Sequence, residues 1–219
     1  MSRILFRPLQ HPVSNIRPAL RIAVVAAALC GLFGSASAAT SPQGAAQFIQ
    51  WLGDQAISTL GSTNSSLEQR EASVRELMRQ GFALQFIGRF VLGRHWRKVT
   101  PDQRAQYQQL FASYILQTYS SHLGGYSGES LSIKGAKPAG SKDAIVQTRI
   151  VRPSAPPIDA DWRVRAQGNQ YMIIDVAVEG VSMAVTQRSE FASVIKNHGF
   201  DGLLAALRAR TDKMPASAH

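Results

Sequence analysis

AIVQTRIVRPSAPPIDADWRVRAQGNQYMIIDVAV, residues 144 to 178, decides the fold class. Ala144, Val146, Thr148 and Ile150 alternate with Gln147 and Arg149, a period of two that places apolar and polar side chains on opposite faces of a strand. Trp162, Val164 and Ala166 alternate in the same way with Arg163 and Arg165. Gly168-Asn169 is a hairpin turn signal. The run from Tyr171 to Val178 is almost wholly apolar, which predicts a strand covered on both faces. Pro153, Pro156 and Pro157 predict a loop or wide turn, because proline cannot donate to a central ladder.

Outward from this stretch the strand pattern continues briefly. Leu131 and Ile133 predict a strand before it, and Val181 to Val185 continues the sheet beyond Gly180. Before residue 125 the period is helical. Ser41-Pro42 is a cap with proline at the first helical position, and Ala45, Ile49, Leu52, Ala56 and Leu60 recur behind it up to Gly61. Ser65 with Glu68 reads as a capping box, followed by Leu67, Val74, Leu77 and Met78 before Gly81. An apolar helix from Phe82 to Leu92 ends at Gly93. Thr100-Pro101-Asp102-Gln103 combines a cap, a first-turn proline, an acid at the positive helix end and a capping-box glutamine. Tyr107, Leu110, Phe111, Tyr114, Ile115 and Thr118 share its face, and Gly124-Gly125 stops it. After the strands, Phe191, Val194 and Ile195 form a stripe ended by Gly199, and Asp201 caps Leu203, Leu204 and Leu207. Helices, then strands, then helices predict an α+β fold, with helices on one face of a curved, mainly antiparallel sheet.

The first 38 residues read as an address. Arg3, Arg7, Arg17 and Arg21 precede an apolar run from Ile22 to Gly34, and Ala36-Ser37-Ala38 offers small residues for a signal peptidase. The run is shorter than the ~20 residues that span a bilayer, so cleavage after Ala38 and residence in the periplasm are expected. Residues 39–210 then form one domain and 211–219 a disordered tail. Cys30 lies in the discarded run, so the mature chain holds no thiol, disulfide or thiolate metal site. Losing the four arginines lowers the formal charge from +10 to +6. That balance suits an anionic membrane surface or an acidic partner, whereas no basic-aromatic motif points to nucleic acid.

Little in the mature chain points to catalysis. His95, His122 and His198 have no metal-ligand spacing and no carboxylate cluster, so no metal or cofactor is expected. Gly125-Tyr126-Ser127-Gly128 fails as a nucleophile elbow because Glu129 stands where a glycine is needed. Asp175, between Ile174 and Val176, needs a partner or must stay protonated. It is read as a structural carboxylate paired to an arginine or to backbone donors; the other role open to it is general base in a small pocket enzyme. Arg89, Arg94, Arg97 and Lys98 gather around Trp96. Arg149, Arg163 and Arg165 would stripe the outer sheet face, a repulsive arrangement that hints at an anionic partner.

At VLGRHWRKVTPDQRAQYQQLF (Val91 to Phe111), MIIDVAVEGVSMAVTQRSEF (Met172 to Phe191) and HGFDGLLAAL (His198 to Leu207) the chain resembles the MlaC family of phospholipid-trafficking and toluene-tolerance systems. The resemblance implies an α+β domain enclosing an apolar lipid pocket, a carrier rather than an enzyme. It also implies transfer between an inner-membrane ABC transporter complex and an outer-membrane lipoprotein/porin complex. The segment bearing Pro153, Pro156 and Pro157, with residues 181 to 195, is also similar to the hopanoid-associated HpnM branch. Phospholipid and hopanoid are thus both open as cargo, with phospholipid preferred. The residues of the apolar stripes that would line such a pocket are Phe90, Val91, Phe111, Tyr114, Ile115, Val146, Trp162, Val164, Ile173, Val176 and Met183. A filled core would use the same residues.

Overall fold

The structure, a computed structural model, describes residues 39–62, 64–123 and 128–212. Four helices come first: α1 (Pro42–Leu60), α2 (Leu67–Gly81), α3 (Leu84–Leu92) and α4 (Pro101–Leu123), with a short 3-10 helix, Gly93–Arg97, between the last two. Five strands follow in the order β1 (Ser130–Ala139), β2 (Asp143–Arg152), β3 (Ala155–Gln167), β4 (Gln170–Val178) and β5 (Val181–Ser182), each antiparallel to its neighbour. α5 (Met183–Asp212) closes the chain and breaks at Gly199, where φ is 72° and ψ 179°. The expected α+β class, with helices against a curved antiparallel sheet, is the observed one.

Local chemistry sets most helix starts. The Ser41 hydroxyl accepts the Gly44 N–H, with Pro42 in the first turn. Thr100 and Gln103 form the expected reciprocal box: Thr100 N–H donates to Gln103 Oε1 at 3.0 Å, and Gln103 N–H to Thr100 Oγ1 at 3.2 Å. The α2 box lies one residue later than expected. Ser66 and Gln69 make both bonds, because Ser66 takes the extended cap conformation and leaves Glu68 inside the first turn. The helix expected from Phe82 starts at Leu84. Phe82 instead bridges Ile173 in parallel fashion, and Ala83 N–H donates to Ile173 O at 2.9 Å. A long-range edge pairing has overridden a local apolar pattern there. Gly124, Gly125 and Cys30 lie outside the described residues.

Pro153 lies in a turn as expected, but the turn is tight and the other two prolines do not extend it. β2 and β3 form a tight hairpin, and Pro156 and Pro157 sit inside β3. Proline is tolerated because β4 pairs with β3 only from Ala160 onward, so their missing N–H groups face no ladder partner on that side. The predicted hairpin at Gly168-Asn169 is present, and Gly168 uses a φ of 60° that a larger residue rarely adopts. Ile173 and Ile174 are both buried, as expected for a strand covered on two faces.

The core is divided. One cluster joins α3, α4 and α5 through Val91, Leu92, Tyr107, Phe111, Phe191, Leu203 and Leu207. A second joins α1 to the sheet through Ala45, Ile49, Leu52, Ala144, Val146, Val164 and Ile173. A third, smaller one holds α1, α2 and α4 together through Leu60, Val74, Met78 and Leu116. Phe82 packs against the second and third, Ile115 against the first and third. α4 is therefore enclosed on two sides. Leu116 and Ser120, off its expected face, are as buried as Tyr114 or more so.

Candidate functional site

α3 carries the surface that stands out. Its sequence LQFIGRFVL turns Gly88, Val91 and Leu92 inward and leaves Phe86 and Phe90, one helical turn apart, each 37% exposed. The helix stops at Gly93, whose φ of 55° reverses the chain. A Cβ at Gly93 would lie 2.9 Å from Arg188 Nε, so the bare backbone there makes room for a guanidinium from α5. The 3-10 helix then sets Trp96 beside Phe90. Between them lies a cleft of about 320 Å³ whose walls include Phe86, Arg89, Phe90, Trp96, Arg97 and Arg188. A second cleft of about 170 Å³ shares Arg188 and adds Val91, Leu92, Arg94, His95 and Ala192.

Guanidiniums lie over each of these aromatic rings. Arg188 stands 5.2 Å from the Phe90 ring centre and Arg165 4.8 Å from that of Phe86. Arg89 and Arg104 lie over Trp96 at 5.7 and 5.5 Å, and Arg104 Nε also donates to Trp96 O at 2.8 Å. Each such contact contributes about 0.5–1 kcal/mol at an exposed site. Among the described residues, Arg89, Arg94, Arg97 and Arg188 form no ion pair. Burial, followed by the charges of Arg94 and Lys98, lowers the His95 pKa and favours its neutral form.

The arginines of the sheet are a different case. Their expected unpaired stripe is replaced by local neutralisation. Arg149 and Asp159 pair across β2 and β3 at 2.7 Å. Arg163 and Arg165 converge on Asp143, which is only 2% exposed, at 2.8 and 2.6 Å. Burial alone would raise the Asp143 pKa; hydrogen bonds from Arg165 and Arg163, then their charges, outweigh it and hold the carboxyl below its ordinary range. Asp175 is likewise structural in its contacts. It accepts from the Ser182 hydroxyl at 2.6 Å and from Ala184 N–H at 3.1 Å, tying β4 to the first turn of α5. These are backbone and hydroxyl donors; the guanidinium of its cross-strand neighbour Arg163 goes to Asp143.

Ten of the eleven residues proposed to line a pocket fall on two sides of the molecule's interior, and Phe90 lies at the surface. Val91, Phe111 and Tyr114 are buried in the helical cluster. Val146, Val164 and Ile173 are buried in the sheet cluster, with Trp162 and Val176 packed against it. Ile115 lies between the helical and α2 clusters, and Met183 is half-buried at the start of α5. Phe90 and Val91 reach the clefts described above. Reading along the chain found Arg89, Arg97 and Trp96 together but missed Arg188, which is 98 positions from Phe90. No group of three His, Cys, Asp or Glu side chains among the described residues is arranged to hold a metal ion. No helix among them is long and apolar enough to cross a membrane.

Comparison with known proteins gives consistent matches. Residues 50–209 match the family model described as MlaC protein. The chain is 24% identical over 182 residues to the intermembrane phospholipid transport system binding protein MlaC of Haemophilus influenzae, covering 80% of this chain and 84% of that one. It is 24% identical over 105 residues to the toluene tolerance protein ttg2D of Pseudomonas putida, covering 48% and 49% respectively. Its fold matches that of a phospholipid-binding protein from Ralstonia solanacearum, solved in complex with a phospholipid. The TM-score is 0.68 at 23% identity, over 78% of this chain and 98% of that one.

Proposed function

This chain belongs to the MlaC family, and from that membership we propose that it is a periplasmic carrier that holds a phospholipid by its acyl chains and passes it between membranes. The observation that carries this reading is the extent of the family match, residues 50–209, which takes in the helical layer and the sheet alike. Residues 1–38 act as a removed export signal and 39–210 as the carrier domain. An inner-membrane ABC transporter complex and an outer-membrane lipoprotein/porin complex are its exchange partners.

The divided core suits such a role. Acyl chains enter between the helical and sheet clusters, beside the third cluster, which Phe82 joins to the sheet side and Ile115 to the helical side. Parting two separately packed clusters leaves each largely intact, whereas opening one continuous core would unpack it. The proposed lining residues on the two sides, Phe111 and Tyr114 against Val146 and Ile173, become facing walls. Each buried methylene contributes about 0.8 kcal/mol relative to water. A membrane offers nearly the same burial, so exchange with a bilayer is close to balanced while escape into water is strongly opposed. No proton transfer or bond cleavage is required. The polar contacts of Asp175 serve the β4–α5 junction rather than a reaction.

Transfer tests this directly. The purified protein should move a fluorescent phospholipid from donor to acceptor vesicles held apart by a membrane that passes protein but not vesicles. Transfer no faster than in buffer alone would contradict the carrier reading.

A further inference from the structure

The α3 face carries exposed rings and guanidiniums that lie outside the acyl-chain walls named above. Among the described residues, Phe86 and Phe90 are two of the seven exposed large hydrophobic side chains, and both belong to α3. Arg188 of α5 lies on the Phe90 ring, and Gly93 provides the space that keeps it there. Arg89 and Arg97 flank the same cleft, and neither they nor Arg188 have an acidic partner among the described residues. Positive charge and apolar ring are thus presented side by side on one surface.

We propose that this face, built on Phe86, Phe90 and Trp96 with Arg89, Arg97 and Arg188, is a docking surface for an anionic phospholipid bilayer. Aromatic rings settle at the head-group level of a membrane, and basic side chains there meet the phosphates of an anionic leaflet. An acidic peptide would answer the guanidiniums but leave the exposed parts of the phenyl rings in water. A bilayer surface meets both. Stacking on the rings holds the Arg89 and Arg188 guanidiniums in place before contact, so little of their side-chain freedom is lost on docking. The surface goes beyond the carrier reading, because it would act whether or not the chain holds a lipid.

The test is co-sedimentation of the purified protein with vesicles of phosphatidylcholine alone or of equal parts phosphatidylcholine and phosphatidylglycerol. Binding should appear with the phosphatidylglycerol vesicles and weaken in about 1 M salt, where the screening length is about 3 Å. The combined variant Arg89→Gln, Arg97→Gln, Arg188→Gln should bind about a hundredfold less, roughly fivefold for each guanidinium near the surface. Phe86→Ala with Phe90→Ala should also weaken binding at unchanged charge. Lys134→Gln, Lys137→Gln and Arg208→Gln, exposed residues of β1 and late α5, remove the same charge elsewhere and should leave most of it. Thermal melting of every variant confirms folding, and extracted lipid is quantified in parallel. Absence of binding to phosphatidylglycerol vesicles overturns the proposal, as does an equal loss in the lysine–arginine control. Binding to an acidic envelope protein but to neither vesicle overturns it in favour of a protein partner. Because occupancy is measured separately, a protein that binds vesicles yet is empty and takes up no lipid from them refutes the carrier reading and leaves the docking surface standing.

Discussion

Replacing Phe111 with alanine is expected to destabilise the protein by about 4 kcal/mol, the middle of the range for deleting a fully buried phenyl ring. Phe111 is 0% exposed. Its ring lies 5.7 Å from that of Tyr107 and meets Phe191 edge-on at 6.2 Å, so one side chain fastens α4 to α5. It also fills the space beside Gly88, where any added Cβ would come within 2.9 Å of it. The surroundings cannot collapse into the hole, because Tyr107 is fixed by donating its hydroxyl to Gly88 O at 3.0 Å. A domain of this size is stable by about 5–15 kcal/mol, so the loss should lower Tm by on the order of 10 °C. Phe90→Ala, at a residue already 37% exposed, should cost about 1–2 kcal/mol. Differential scanning calorimetry on delipidated protein makes the comparison without the added stability that bound cargo contributes. Equal effects for the two variants would contradict the packing described here.

The second large effect belongs to Asp143. Asp143→Ala leaves Arg163 and Arg165 without their shared carboxylate, and breaking a buried pair by removing one partner costs about 3–5 kcal/mol. Here the arginines are 48% and 26% exposed and regain water when freed, so about 2–3 kcal/mol is expected. The pH dependence follows from the sign of the shift. The folded-state pKa lies below the unfolded value of about 3.9. The contribution is therefore complete above that value and is lost as pH falls through the lower folded-state pKa. The gap between the native protein and Asp143→Asn should be constant from neutral pH down to about 5 and close below about 4. Denaturant titrations across that range measure it, and a gap that widens on acidification would rule out the assigned ion pair.

How much of this was legible in the sequence depended on the range of the interaction. Caps and turns involve neighbours three or four residues apart, so Thr100 with Gln103, Gly168-Asn169 and the break at Gly199 could be read directly. The change of period near residue 129 gave the α+β class for the same reason. Features set by distant partners could not be read. Phe82 looks like the start of a helix until Ile173 offers it a strand edge. Asp143 looks like a surface acid at a strand end; only the β2–β3 register brings Arg163 and Arg165 onto it. Leu116 and Ser120 lie off the expected stripe because α4 is covered from two sides, and a one-faced pattern cannot report that. The candidate site divides in the same way. Arg89, Trp96 and Arg97 are close in sequence and were grouped, while Arg188 arrives only when α5 folds back on α3.

Native mass spectrometry of protein purified without added lipid should show whether the chain holds a lipid between its helical and sheet layers. Two acyl chains of about 16 carbons would bury roughly 25 kcal/mol of gross apolar transfer energy, so cargo loaded in the cell should survive chromatography. The account predicts one bound lipid per chain, and organic extraction should recover a diacyl phospholipid. A pentacyclic triterpenoid in its place would contradict the phospholipid assignment. Protein that is uniformly empty, and that acquires no lipid when mixed with vesicles, would contradict the carrier account itself.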